Sequence, residues 1–142
     1  MSETIQGIDS VEIGRTVRFS KTVGESDVYL FAGITGDLSP NHVNEEYMKG
    51  TPYGQRIAHG VLIMGYMSTA STKLLESIPF PCVSYGYDRV RFVKPVFIGD
   101  TVTVEYRVAD KVREKNQLLD EVTVTNQRGE VVAVATHILK FV

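Results

Sequence analysis

The sequence predicts an α+β domain in which one long antiparallel β-sheet wraps around a central buried α-helix. Three observations predict it. Ile57 to Ser77 is the longest stretch at helical spacing, and its apolar residues (Val61, Leu62, Ile63, Met64, Tyr66, Met67, Leu74, Leu75) lie nearly all round; a helix apolar on every side has to be covered on every side. The chain after it reads as strands, with Val102, Val104, Tyr106 and Val108 alternating cleanly onto one face. A further strand signal, Arg15 to Lys21 with Val17 and Phe19 on one face, stands before the helix. A sheet with one face to cover and a helix with no polar side cover each other.

Taken in order, residues 1–12 are expected to be loosely held and residues 13–142 to form a single domain. After the first strand, Thr22-Val-Gly-Glu25 has the form of a capping box and should start a short helix. That helix should end between Gly33 and Gly36, where glycine can take the left-handed backbone. Asp37 to Arg56 reads as a long irregular loop: Pro40 and Pro52 discourage regular structure, and Asn44 is placed to cap one helical turn through Tyr47. So long a loop in a small domain is often functional. Past the central helix, strands are expected over Val83–Val93, Thr101–Ala109, Leu118–Asn126 and Val131–Val142, with turns at Arg113–Asn116 and Asn126–Gly129. Val131 to Phe141 is apolar on both faces, which places it centrally in the sheet or at an interface.

Composition narrows the function. With 142 residues, 43% hydrophobic and 23% charged, the chain suits one globular domain. A net charge of −2 gives no clustered basic surface for nucleic acid. The apolar run Ile57 to Ala70 is too short and too polar to span a membrane. The start MSETIQGIDS lacks the features of a secretion signal, so a cytoplasmic location is expected. Cys82, the sole cysteine, excludes an internal disulfide; it reads as a buried structural thiol, a nucleophile being the alternative.

The segment that carries chemistry is Asp37-Leu-Ser39-Pro40-Asn41-His42. A carboxylate and an imidazole on either side of a proline-forced turn can converge on one water, orient it, take its proton and return it to carbon. The residues alone also allow a plainer reading, with Asp37 capping the turn after Gly36 and His42 an ordinary loop residue. A second candidate is Ala58-His59-Gly60-Val61 at the start of the central helix. Free N–H groups there carry partial positive charge, and a glycine lets a ligand oxygen approach the backbone. His59 reads as a structural residue at helix entry or as a participant in the chemistry; His137, in the last strand, reads as sheet packing. Histidines so dispersed make a poor metal site, and none is expected.

At these residues the chain resembles the MaoC-like hydratases, including the (R)-specific enoyl-CoA hydratases, whose motif Asp-x-Asn/Ser-Pro-x-His is matched by Asp37-Leu-Ser39-Pro40-Asn-His42. Leu30-Phe-Ala-Gly33, Gly36, His59-Gly60 and Arg91-Phe-Val-Lys-Pro95-Val-Phe-Ile-Gly-Asp100 resemble the family too, so the likeness runs from about Ile13 to the C-terminus. It implies the hot-dog fold, a homodimer or higher oligomer joined edge to edge, and an acyl-CoA substrate, with acyl carrier protein as the other possible carrier. It implies no metal or redox cofactor. The reaction implied is hydration of a trans-2-enoyl thioester to the (R)-3-hydroxyacyl thioester, or its reverse. By the same resemblance Asp37 and His42 form the water-activating dyad, and Gly60 donates its N–H to the thioester oxygen. Ser39, Pro40, Asn41, His59, Met64, Gly65, Arg89, Arg91 and Lys94 are expected near the substrate. The three basic residues would contact phosphate if their strand lies at the pocket mouth, and would otherwise form a solvated edge. The chain departs from the pattern at Gly65, where several relatives carry a serine one turn along the helix. Met64, Met67, Tyr85, Tyr87 and Phe92 either line the acyl pocket or fill the core. The rival readings are a hot-dog thioesterase and a non-catalytic acyl-thioester binder.

Overall fold

The computed structural model describes residues 6–142. Its five strands form one antiparallel sheet in the order β1-β3-β4-β5-β2, with β1 at Thr16–Thr22, β2 at Cys82–Phe92, β3 at Thr101–Val112, β4 at Gln117–Thr125 and β5 at Val131–Phe141. The apolar alternation anticipated in β3 holds: Val102, Val104, Tyr106 and Val108 are all buried. β5 lies between β4 and β2, so its two apolar faces are explained by an internal position. The β4–β5 hairpin closes through Asn126 and Gly129, whose N–H donates to the Asn126 carbonyl at 3.0 Å, with Gly129 at φ 77°. The β3–β4 turn uses Asn116 at φ 54°, a conformation asparagine tolerates better than most residues.

Helices α1 (Glu25–Thr35), α2 (Pro40–Val43), α3 (Glu45–Lys49) and α4 (Gly60–Leu75) fill the long interval between β1 and β2. α4 crosses the sheet and packs Ile63, Tyr66, Met67, Ala70 and Leu74 against it. It is shorter than its apolar pattern. Ile57 and Ala58 are claimed by the sheet side instead, Ile57 bridging to Phe97 and the Ala58 N–H donating to the Val96 carbonyl at 2.7 Å. Nor is α4 covered all round within one chain: Val61, Gly65, Ser68 and Thr72 form an outward, solvent-facing stripe.

Two local expectations are corrected. α1 is capped by Gly24, whose N–H donates to the Asp27 carboxylate at 2.9 Å, while Thr22 remains in β1 and pairs its hydroxyl with that of Thr101. The capping carboxylate therefore sits two residues beyond Glu25, because β1 continues through Thr22. Within the segment expected to be loose, residues 1–5 lie outside the described residues, and Gly7–Ser10 forms a short 3₁₀ turn that buries Ile8 and Val11 in the core. Gly7 makes this possible, since the Phe141 ring occupies the space a Cβ would need.

Candidate active site

The chain leaves α1 at Gly36, which takes the left-handed conformation (φ 81°) and donates its N–H to the Ala32 carbonyl at 2.9 Å. That reversal delivers Asp37 to the start of α2, where Pro40 at the first turn fixes the helix entry and His42 follows within the same turn. The Ser39 N–H points at the Asp37 carboxylate (3.4 Å), and the Asn41 carbonyl accepts from the Ile57 N–H at 2.9 Å. The loop is held onto α1 by Arg56, which donates to Tyr29 Oη at 2.9 Å and pairs with Glu45 (2.6 Å) and Glu25 (3.2 Å). Burial works against the Arg56 charge, but the hydrogen bonds to Tyr29, Glu45 and Glu25 outweigh it and raise its pKa above the ordinary value. The expected cap is present as well: Asn44 Oδ1 accepts from the Tyr47 N–H at 2.9 Å.

His42 and His59 converge behind Asp37. One potential ligand atom from each of the three lies within 4.8 Å of the others. His42 Nδ1 is 2.7 Å from the Ile57 carbonyl. A carbonyl only accepts, so Nδ1 carries the proton and Nε2 presents a lone pair. His59 is fully buried, its Nε2 lies 3.0 Å from the Asp37 main-chain carbonyl, and its ring stacks on His42 at 3.7 Å and 24°. Two of the three histidines that read as dispersed in the sequence are therefore adjacent in the fold.

A cleft of about 270 Å³ opens beside this cluster, lined by His42, Gly60, Ile63, Phe92, Val96 and Ala133 among others. Gly60 is the first residue of α4, and no side chain caps that helix. Its start thus presents backbone N–H groups and the positive end of the helix dipole at the cleft wall. The Phe92 ring lies across Gly60, and a Cβ added there would meet ring atoms at 2.5 Å.

Of the three residues expected to do the chemistry, His42 and Gly60 share the cleft, and Asp37 lies beside His42 without lining it. Of the expected substrate contacts, Lys94 lines the cleft. The others have different placements. Ser39, Pro40 and Asn41 shape the turn through their backbones. His59 stands behind His42 and does not line the cleft, because the Asp37 carbonyl and the Phe31 ring (4.7 Å) hold it inward. Met64 packs on the core, and Gly65 lies on the outward stripe of α4. Arg89 and Arg91 are exposed on β2 around a register shift, Arg89 at φ 55°, and neither lines the cleft. Ile63, Val96 and Ala133 were not distinguishable from core residues in the sequence, since a cleft wall and a core use the same apolar types.

A second polar cluster, absent from the sequence reading, lies on the helix side of the sheet. Tyr106 Oη is 2.6 Å from Asp120 Oδ2 and 2.8 Å from His137 Nδ1, and His137 Nε2 is 2.7 Å from Ser84 Oγ. Burial pushes the Asp120 carboxyl up to about 7, against the hydrogen bond from Tyr106, and burial drives His137 down to about 4. Burial, with the charge of Asp120 added, also pushes the Cys82 thiol up to about 11, which supports the structural reading of that residue over the nucleophilic one.

A sheet around a helix, with an imidazole and a helix N-terminus at one cleft and a carboxylate beside that imidazole, defines a hot-dog enzyme built for water and thioester chemistry. The chain belongs to the family of the MaoC like domain, which matches residues 9–131. It is 39% identical to an (R)-specific enoyl-CoA hydratase of Rhodospirillum rubrum, over 82% of this chain and 79% of that one. It is 38% identical to a 3-hydroxybutyryl-CoA dehydratase of Methylorubrum extorquens, over 77% of this chain and 68% of the relative. Among solved structures, the (R)-hydratase from A. caviae involved in PHA biosynthesis superimposes with a TM-score of 0.84 at 27% identity, covering 92% of this chain and 97% of that one.

Proposed function

We propose that the protein hydrates trans-2-enoyl-CoA to (R)-3-hydroxyacyl-CoA, or runs the reverse dehydration. The observation that carries this reading is the His42 ring, fixed by the Ile57 carbonyl so that Nε2 is free to take a proton at a cleft shared with Gly60. In the hydration direction, His42 and Asp37 hold one water. Its oxygen bonds to C3 as a proton passes to the dyad, and the C2–C3 π electrons move onto the thioester oxygen. The Gly60 N–H, at the positive end of α4, stabilises that oxygen, a contribution of about 10²–10³-fold for one such donor. The proton then goes from the dyad to C2, which closes the balance without any cofactor.

The modest cleft and its apolar wall favour short to medium acyl chains, with coenzyme A as the carrier and Lys94 near its mouth. Homodimerisation is supported by exposed apolar residues around Asp37: Leu30, Leu38 and Ile34, the last 80% exposed. A patch of that kind beside a site is characteristic of a covered surface. The outer edge of β2 is also unpaired within the described residues, ready to extend the sheet into a second copy. α4 carries no carboxylate between Gly60 and Leu75, which counts against the thioesterase reading. Among the described residues, no helix is long and apolar enough to cross a membrane.

The test is a spectrophotometric assay over a chain-length series of trans-2-enoyl-CoAs with chiral analysis of the product. Loss of enoyl absorbance with (R)-3-hydroxyacyl-CoA as product is expected. Thiol release without that loss would indicate a thioesterase, and tight binding without turnover a binding protein. A second expectation concerns Gly60. In Gly60→Ala the new methyl displaces the Phe92 ring across the cleft, and kcat/KM should fall about tenfold or more, as small misplacements at a reacting centre do. Phe92→Ala removes the colliding atoms, so the same substitution made in that background should cost distinctly less. Equal costs in both backgrounds would show that the contact is irrelevant.

A further inference from the structure

We infer that His59 is the positioning residue that couples the catalytic dyad to the oxyanion donor. The inference rests on the hydratase reading and assigns a role within it. Three contacts made by this one buried residue carry it. Its Nε2 lies 3.0 Å from the Asp37 main-chain carbonyl. Since a carbonyl only accepts, His59 donates from Nε2 and thereby fixes the backbone that carries the carboxylate. Its ring stacks on His42 at 3.7 Å, while the Phe31 ring backs it at 4.7 Å. His42 is thus held by the Ile57 carbonyl at one ring atom and by a flat surface along its face, which opposes tilting of the ring. Finally, the His59 carbonyl accepts from the N–H groups of Leu62 (3.0 Å) and Ile63 (3.3 Å), which starts α4 and sets Gly60 in place.

The carboxylate and the imidazole come from the α1–α2 turn and the backbone donor from the start of α4, and His59 is a shared neighbour of both segments. Its Nδ1 is buried with no hydrogen-bonding partner among the described residues. A polar atom left unpaired in a core is costly, and such a cost persists where the rest of the side chain is needed. His59 does not line the cleft, so it acts through its neighbours and does not touch substrate.

The experiment separates positioning from a merely structural role. His59→Phe keeps a stacking ring and loses the donor to Asp37; His59→Gln keeps an amide donor and loses the ring. With crotonyl-CoA, each folded variant is expected to lose at least about tenfold in kcat while KM changes less than about threefold, because the geometry of the reacting groups is disturbed and substrate contact is not. In a His42→Ala background, His59→Phe should cost less than about threefold more, since a residue that works through His42 has little left to position. Unchanged kcat per folded site, a KM effect without a kcat effect, or full additivity with His42→Ala would each overturn the assignment. Nitrogen NMR of the wild-type histidines tests it without substitution: the expected result is His59 protonated at Nε2, and protonation at Nδ1 instead would overturn it. An inactive wild type would count against the hydratase reading itself, whereas an active wild type with unaffected His59 variants would count against His59 alone.

Discussion

His42→Ala is expected to lower kcat for enoyl-CoA hydration by about 10²–10⁴-fold, the range over which a positioned general acid–base group contributes. Asp37→Asn is expected to lower it at least a hundredfold, toward the lower end of that range. His42 lines the cleft, and its Nδ1 is already committed to the Ile57 carbonyl, which leaves Nε2 for the chemistry. No other imidazole lines the cleft among the described residues, so none is placed to take over. Asp37 is exposed and contributes little to the core, so its replacement should leave the fold intact. Circular dichroism and thermal melting establish that the variants are folded, and steady-state rates on crotonyl-CoA measure the loss. Retention of wild-type turnover by both would remove the dyad from the mechanism.

Asp120→Asn is expected to make the protein more stable relative to wild type as pH rises. The Asp120 carboxyl is raised to about 7 in the folded protein from an ordinary 3.8. A group of this kind contributes stability below its unfolded value, and that contribution is lost as pH climbs to the folded one, at about 1.4 kcal/mol per unit. Between pH 5 and pH 8 the wild type should therefore lose on the order of 2–3 kcal/mol that the uncharged variant keeps. For a chain of this length that corresponds to a difference in Tm growing by roughly 5–10 °C. His137, lowered to about 4, has the opposite sign. Its folded form binds fewer protons, so its destabilising effect appears as pH falls below the ordinary histidine value, and it is common to both proteins. Parallel Tm curves for wild type and variant from pH 5 to pH 8 would show that Asp120 is ionised in the fold at no cost.

The sheet and its central helix were legible because periodicity reports burial directly: the alternation of Val102, Val104, Tyr106 and Val108 survives unchanged as the inner face of β3. The helix was overrun at its start because Ile57 and Ala58 are as apolar as the residues that follow. Their pairing with Phe97 and Val96 is a long-range contact that no local pattern announces. Asp37, His42 and Gly60 were candidates through turn chemistry and helix-start geometry, and the family resemblance selected their catalytic reading over the plainer one. The position of His59 behind the dyad was not legible, since stacking between segments depends on where the loop lands. The Asp120–Tyr106–His137 chain was hidden for the same reason. Asp120 faces His137 across the β4–β5 pair, yet the two are distant in sequence, and His137 read as sheet packing has no acidic neighbour along its own strand.

The most direct measurement of the central claim is a crystal structure of the Asp37→Asn variant holding unreacted crotonyl-CoA. The thioester oxygen is expected within about 3 Å of the Gly60 N–H, with a water between residue 37 and His42 Nε2 facing C3. A thioester bound elsewhere, or C3 turned away from His42, would contradict it.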